Sequence, residues 1–93
     1  MHAFLLQVRI HIPGASSLKE KRQVVKSILD RSRSRYHVAA AEVDDQDLHR
    51  IAVLGFAGVS ASEHHVREMG QKLLEALQLH PAARVQESEL EFY

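Results

Sequence analysis

FLLQVRIHIPGASSLKE, residues Phe4 to Glu20, is the stretch on which the fold turns. Phe4, Leu6, Val8, Ile10 and Ile12 alternate with Leu5, Gln7, Arg9 and His11, the period of a strand with one face in a core. Pro13-Gly14 ends that strand. Ser17, with Glu20 three residues on, forms a capping box, so a helix begins near Leu18. At about 100° per residue Leu18, Val25, Ile28, Leu29 and Tyr36 share one stripe with Val24 at its margin, which carries the helix to about Arg35 and turns it onto a sheet.

Downstream, His37 to Val43 is rich in Ala and Val and reads as a second strand, and Asp44-Asp45-Gln46-Asp47 is a turn by composition. Leu48 to Val59 is a third strand. Ile51 to Val59 contains no polar side chain, which predicts a central strand covered on both faces. Ser60 and Glu63 suggest a second capping box. The helix after it puts Val66, Met69, Gly70, Leu73 and Leu77 on one face and stops before Pro81; Gly70 on the buried side implies close approach to the sheet. The last strand runs from about Arg84 to Phe92, with a bulge because Val85 is out of phase with Leu90 and Phe92. Two right-handed crossovers then close an α+β, ferredoxin-like βαββαβ sandwich, a four-stranded antiparallel sheet with both helices on one face.

Composition agrees with one small globular domain spanning residues 1–93: 45% hydrophobic and 26% charged residues leave room for a core and for no disordered tail. The absence of cysteine excludes disulfide frameworks, thiolate metal sites and cysteine nucleophiles, and fits a reducing compartment. No signal peptide opens the chain and no apolar run approaches the length of a membrane span, so a cytoplasmic protein without membrane attachment is expected.

His11-Ile12-Pro13-Gly14, Ser17-Leu18-Lys19-Glu20-Lys21-Arg22, Val24-Val25-Lys26-Ser27, Ala41-Glu42-Val43-Asp44, Gln46-Asp47-Leu48 and Ala52-Val53-Leu54-Gly55 together resemble the YlxP-like family of small bacterial proteins. The resemblance covers nearly the whole chain and implies a ferredoxin-like fold. It also implies a link to translation, because genes of that family often neighbour genes for translation and ribosome maturation; it carries over no activity. Where many members have a His inside the acidic turn this chain has Asp45, which speaks against metal binding through imidazole there.

Twelve Lys and Arg balance twelve Asp and Glu, so net charge points to no partner. Distribution does. Between Lys19 and Arg35 seven bases face two acids, whereas Glu42 to Asp47 and the terminal Glu87, Glu89 and Glu91 are acidic. Lys19, Arg22, Lys26 and Arg33 fall in an acid-free band beside the apolar stripe, a track that could follow a phosphate backbone. Lys19, Lys21 and Arg22 crowd the first turn, where the helix dipole disfavours cations and an anion would reverse the penalty. A solvated helix face explains the same residues without function.

Other constellations are weaker. Leu54-Gly55-Phe56-Ala57-Gly58-Val59 partly matches an RNA-stacking strand, but Gly58 stands where a second ring belongs. If Leu54 and Phe56 face away from the helices, a second copy of the sheet is the simplest cover. Glu42, Asp44, Asp45 and Asp47 could hold magnesium or act as an acid–base pair, yet lack the spacing of a calcium loop. His64 and His65 point about 100° apart and cannot share a metal on one helix face. No phosphate loop, nucleophile elbow or dinucleotide fingerprint occurs, and no cofactor is expected.

The leading expectation is therefore a non-catalytic RNA-binding factor acting on ribosomal RNA or a ribosomal subunit, with Lys19, Lys21, Arg22, Lys26 and Arg33 on phosphates. The alternatives are a regulatory or interaction module that forms a homodimer through its sheet, and, further off, a small enzyme using Glu42, Asp44 and a nearby His.

Overall fold

The computed structural model describes residues 1–45 and 47–93. Elements follow in the order β1 (His2–His11), α1 (Leu18–Tyr36), β2 (Ala39–Asp44), β3 (Ile51–Ser60), α2 (Glu63–Gln78) and β4 (Arg84–Phe92). The strands form one antiparallel sheet in the order β2-β3-β1-β4, which with two helices is the ferredoxin-like α+β sandwich.

β1 carries the core. Its inward residues Phe4, Leu6, Val8 and Ile10 are buried and lie opposite Gly58, Phe56, Leu54 and Ala52 of β3, so these eight share the helix-facing side of the sheet. Val25, Ile28 and Leu29 of α1 and Val66, Leu73 and Leu77 of α2 close over them. Small residues permit the approach of α2. A Cβ on Gly58 would lie 2.5 Å from the Phe4 ring, and one on Gly70 would lie 3.0 Å from Leu90 and 3.3 Å from Phe4. Gly70 therefore marks close helix–sheet contact, as its position in the apolar stripe implied.

Caps and irregularities have local causes. The Ser17 hydroxyl accepts from the Glu20 N–H at 3.2 Å, but Glu20 returns its carboxylate to the N–H and hydroxyl of Ser16, each at 2.8 Å, rather than to Ser17. α2 is capped by Ser62 instead of Ser60, through the His65 N–H. α1 ends where His37 turns left-handed with φ 55°, so β2 starts at Ala39, later than the expected His37. β4 shifts register between Arg9 and Ile10 of its partner, the bulge foreseen from the phase of Val85. The expected turn at Asp44–Asp47 includes Gln46, which lies outside the described residues.

Two expectations about β3 are overturned. It is an interior strand, but the helices cover only one of its faces. Leu54 and Phe56 point toward the helices at 0% and 3% exposure, so they cannot form a sheet-to-sheet interface. The apolar run arises because the open face of β3 carries Ile51, Val53, Gly55, Ala57 and Val59, of which Val53 is buried beside Arg9 and Gly55, Ala57 and Val59 are small or merely tolerated in water. Among the described residues no helix is long and apolar enough to cross a membrane.

Candidate functional site

The first helix does not present its cations as one track. Lys21 is fully buried, because its position in the first turn lies on the sheet side of α1. Its ammonium donates to the carbonyls of Asp45 and Leu48 at 2.7 and 2.6 Å and forms an ion pair with Glu42 at 2.8 Å. It holds the β2–β3 connection against the helix and, contrary to the expectation for this residue, cannot reach a phosphate. Arg33 is engaged on two sides, with Asp30 at 3.3 Å and with the carbonyl of Ala40 on the edge strand β2. Lys26 pairs with Asp30 at 2.6 Å in an exposed i, i+4 contact, and the ammonium beside it, with Arg33, holds the Asp30 carboxyl below its ordinary range. The band free of acids on a helical projection is thus crossed by Asp30, which reaches two of its members. Lys19 and Arg22 remain exposed with no ion pair among the described residues.

The acidic cluster is divided by the sheet. Glu42 lies opposite Leu54, on the helix side, while the register shift after it sets Asp44 opposite Val53, on the other side. Asp45 pairs with Arg9, and Asp44 accepts the N–H of Asp45 at 2.8 Å. Glu42 and Asp44 therefore do not converge on one substrate. No group of three or more His, Asp or Glu among the described residues is placed to hold a metal ion. His64 makes an exposed contact with Glu68 at 3.3 Å, the i, i+4 pair visible in the sequence. Phe56 lies in the core and offers no stacking platform for a base.

What sequence reasoning missed is the open face. Residues of β1 that alternate with the core, Leu5, Gln7 and Arg9, stand beside Ala57, Gly55 and Val53 of β3 and beside Glu91, Glu89 and Glu87 of β4. Ala39 and Ala41 of β2 continue the row next to Ala57 and Gly55. Small side chains on two adjacent strands sink a groove of about 450 Å³, floored by Ala39, Ala41, Gly55 and Ala57 and flanked by Leu5, Val43, Glu89 and Glu91. Leu5 and Val43 beside the groove are 51% and 50% exposed, and Val59, further along β3, is 63% exposed. The tell-tale in the sequence was the spacing Gly55-x-Ala57-x-Val59, which becomes legible only once Leu54 and Phe56 are known to point inward.

The groove's rim is charged. The Tyr93 hydroxyl donates to Glu91, and this bond, helped by the Glu89 carboxyl, keeps Glu91 below the usual carboxylate range.

Residues 4–90 match the family described as Protein of unknown function (DUF503). The chain belongs to this family. A relative in it is the uncharacterized protein YlxP of Bacillus subtilis (strain 168), 38% identical over 63 residues that make up 68% of each chain. This agrees with the resemblance read from the His11–Gly14 and Ser17–Arg22 segments. Two solved structures share the fold. The structured domain of Drosophila melanogaster Boca aligns with a TM-score of 0.50 at 16% identity, over 94% of this chain and 95% of that one. The de novo designed protein Foldit4 aligns at 0.53 and 14% identity, over 98% and 96%. At those identities they speak to architecture alone. For this DUF503 chain, function has to be argued from the two surfaces described above: a first helix whose cations are largely engaged, and an open sheet face with an apolar groove.

Proposed function

We propose that the chain is a non-catalytic interaction module of the cytoplasm whose working surface is the open face of its sheet. The supporting observation is the groove over β2 and β3, a concave floor of Ala39, Ala41, Gly55 and Ala57 that neither helix covers. A second copy of the sheet or another polypeptide would cover it. The lack of cysteine suits the reducing compartment. To test this, a photo-reactive amino acid is placed at Ala41 in the groove or at Ser27, an exposed residue of α1, and cells are irradiated. Crosslinked protein adducts from position 41 are expected. Adducts from position 27 alone would overturn the reading.

A second reading rests on Lys19 and Arg22, which project from the first turn of α1 where the free N–H groups and the dipole favour an anion. With Lys26, whose exposed ion pair costs little to break, they support binding to a ribosomal RNA or ribosomal subunit through two or three phosphates. Log affinity should then fall against log salt with a slope of about −1.4 to −2 rather than the near −3 of a four-cation track. Filter binding with single-stranded RNA across a salt series, comparing the intact chain with Lys19→Glu/Arg22→Glu, checks it. Salt-independent binding, or an unaffected variant, would remove it.

A further inference from the structure

Resting on the reading of the open face as a docking surface, we propose that its occupant is a basic amphipathic helix of another protein, lying along β2 and β3 with its Lys or Arg side chains turned toward Glu89 and Glu91.

Shape comes first. Ala39, Ala41 and Ala57 give a floor two strands wide, with neighbouring strands about 4.8 Å apart, that is open at the β2 edge, closed at one end by Val43 folded over Gly55 and bounded on the other side by the longer side chains of β1, so it accepts a cylinder about 10 Å across. A flat partner would leave this floor untouched. A ridge fills it.

Charge selects the ridge. Glu89 and Glu91 share one face of β4, their backbone positions about 6.8 Å apart along the strand and their carboxyls in a hydrogen-bonded pair. Residues i and i+4 of a helix lie on one face about 6 Å apart, so two cations there both approach the paired carboxyls while the adjoining face, if made of Ala or Leu, packs on the floor. Both glutamates line the groove, so a basic occupant gains from them and an acidic one is repelled.

A second copy of this chain answers them badly. Two sheets related by a two-fold axis across the strands set β4 antiparallel on β4, so that Glu87 and Glu89 meet carboxylates and only Arg84, at the far end, is left to answer Glu91. With the axis along the strands, β4 lies over the partner's β2, whose open face offers only Ala39, Ala41, Val43 and the acidic Asp44. Of the arginines on this face, Arg9 is engaged with Asp45 and Arg84 stands beside His11 at the other end of β4 from Glu89 and Glu91, and the cations of α1 are on the opposite side of the sheet. Nucleic acid is repelled by the same rim.

The test uses the intact chain and two labelled helical peptides, one with Lys at i and i+4 beside an Ala/Leu face, the other with Glu in place of Lys. Fluorescence anisotropy should show the Lys peptide binding at least about tenfold more tightly than the Glu peptide, with affinity falling as salt rises. Glu89→Lys/Glu91→Lys should weaken the Lys peptide about tenfold, whereas Lys19→Glu/Arg22→Glu should leave it unchanged. Amide shifts should map to Ala41, Gly55 and Ala57. Sedimentation velocity separates the alternatives: a dimer that Ala41→Arg dissociates would overturn the basic-helix proposal while leaving the open-face reading intact. A monomer that binds neither peptide, and yields no crosslinks from position 41, would sink both. Equal binding of the two peptides would reject the charge assignment.

Discussion

At the scale of single residues, Lys21 shows how far a side chain's role can depend on chain that follows much later. Its ammonium is at 0% exposure and is satisfied by two carbonyls of the β2–β3 connection and the Glu42 carboxylate of β2, 21 to 27 residues downstream. Burying a charge is tolerated only with such partners. Lys21→Met keeps the stem's packing but deprives the Asp45 and Leu48 carbonyls of their donor and Glu42 of its cation. We expect a loss of about 3 kcal/mol by urea denaturation, against a much smaller loss for Lys19→Met on the exposed side of the same turn. Gly58 gives a second residue-scale expectation. A methyl there would meet the Phe4 ring at 2.5 Å and Met69 at 2.9 Å, so Gly58→Ala should cost about 1–3 kcal/mol despite restricting the unfolded chain. Of these, Gly58 was readable only as a missing aromatic ring, and Lys21 was read as a phosphate ligand. A pattern along one helix reports which way a side chain leaves it, and nothing about the carbonyls waiting there.

At the scale of elements, the strands and helices were legible because their signals are local. Alternation along β1, the hydroxyls that cap the helices and Pro81 beyond α2 all act within a few residues. Ser17→Ala should therefore destabilise the fold by about 1 kcal/mol, measurable as a lowered urea midpoint with an unchanged slope. The second cap was misplaced by two residues because Ser60 and Ser62 both precede Glu63; the Ser60 hydroxyl instead accepts the Ser62 N–H at 3.1 Å. Edge protection was not legible. β2 lies at the sheet edge with the sequence Ala39-Ala40-Ala41, which carries no charge of its own to discourage another strand. Arg33 supplies it from α1 by occupying the Ala40 carbonyl. Arg33→Ala should raise concentration-dependent association in light scattering, while Lys26→Ala, whose partner is Asp30 within the same helix, should not.

At the scale of the whole molecule, stability follows pH through a few perturbed groups. Burial, with Arg31 nearby, lowers the His80 pKa from 6.5, and its Nδ1 accepts the Ala82 N–H, a bond the protonated ring cannot make. A lowered folded value means that the unfolded chain binds the proton more readily, so this contribution is present above about pH 6.5 and is lost as pH falls through the folded value. Glu20, Asp30, Glu68 and Glu91 are lowered by the Ser16, Lys26, Lys72 and Tyr93 contacts respectively, and their contribution is lost at more acidic pH by the same sign. The melting temperature should therefore decline in two stages on acidification. His80→Gln should flatten the first stage and leave the second. A profile unchanged by that substitution would reject the role given to His80.

By itself the sequence determined the order and kind of every element, the bulge in β4 and the membership of the core face of β1, since each follows from hydrogen bonding and apolar spacing between near neighbours. Only the tertiary structure decided which side of β3 meets the helices, that Lys21 is an internal strut rather than a contact for phosphate, and that Ala41, Gly55 and Ala57 line one groove beneath Glu89 and Glu91. Those facts depend on register between strands distant in the chain. One residue of slip exchanges the two faces of a strand, and no local preference along β3 distinguishes them when both are apolar.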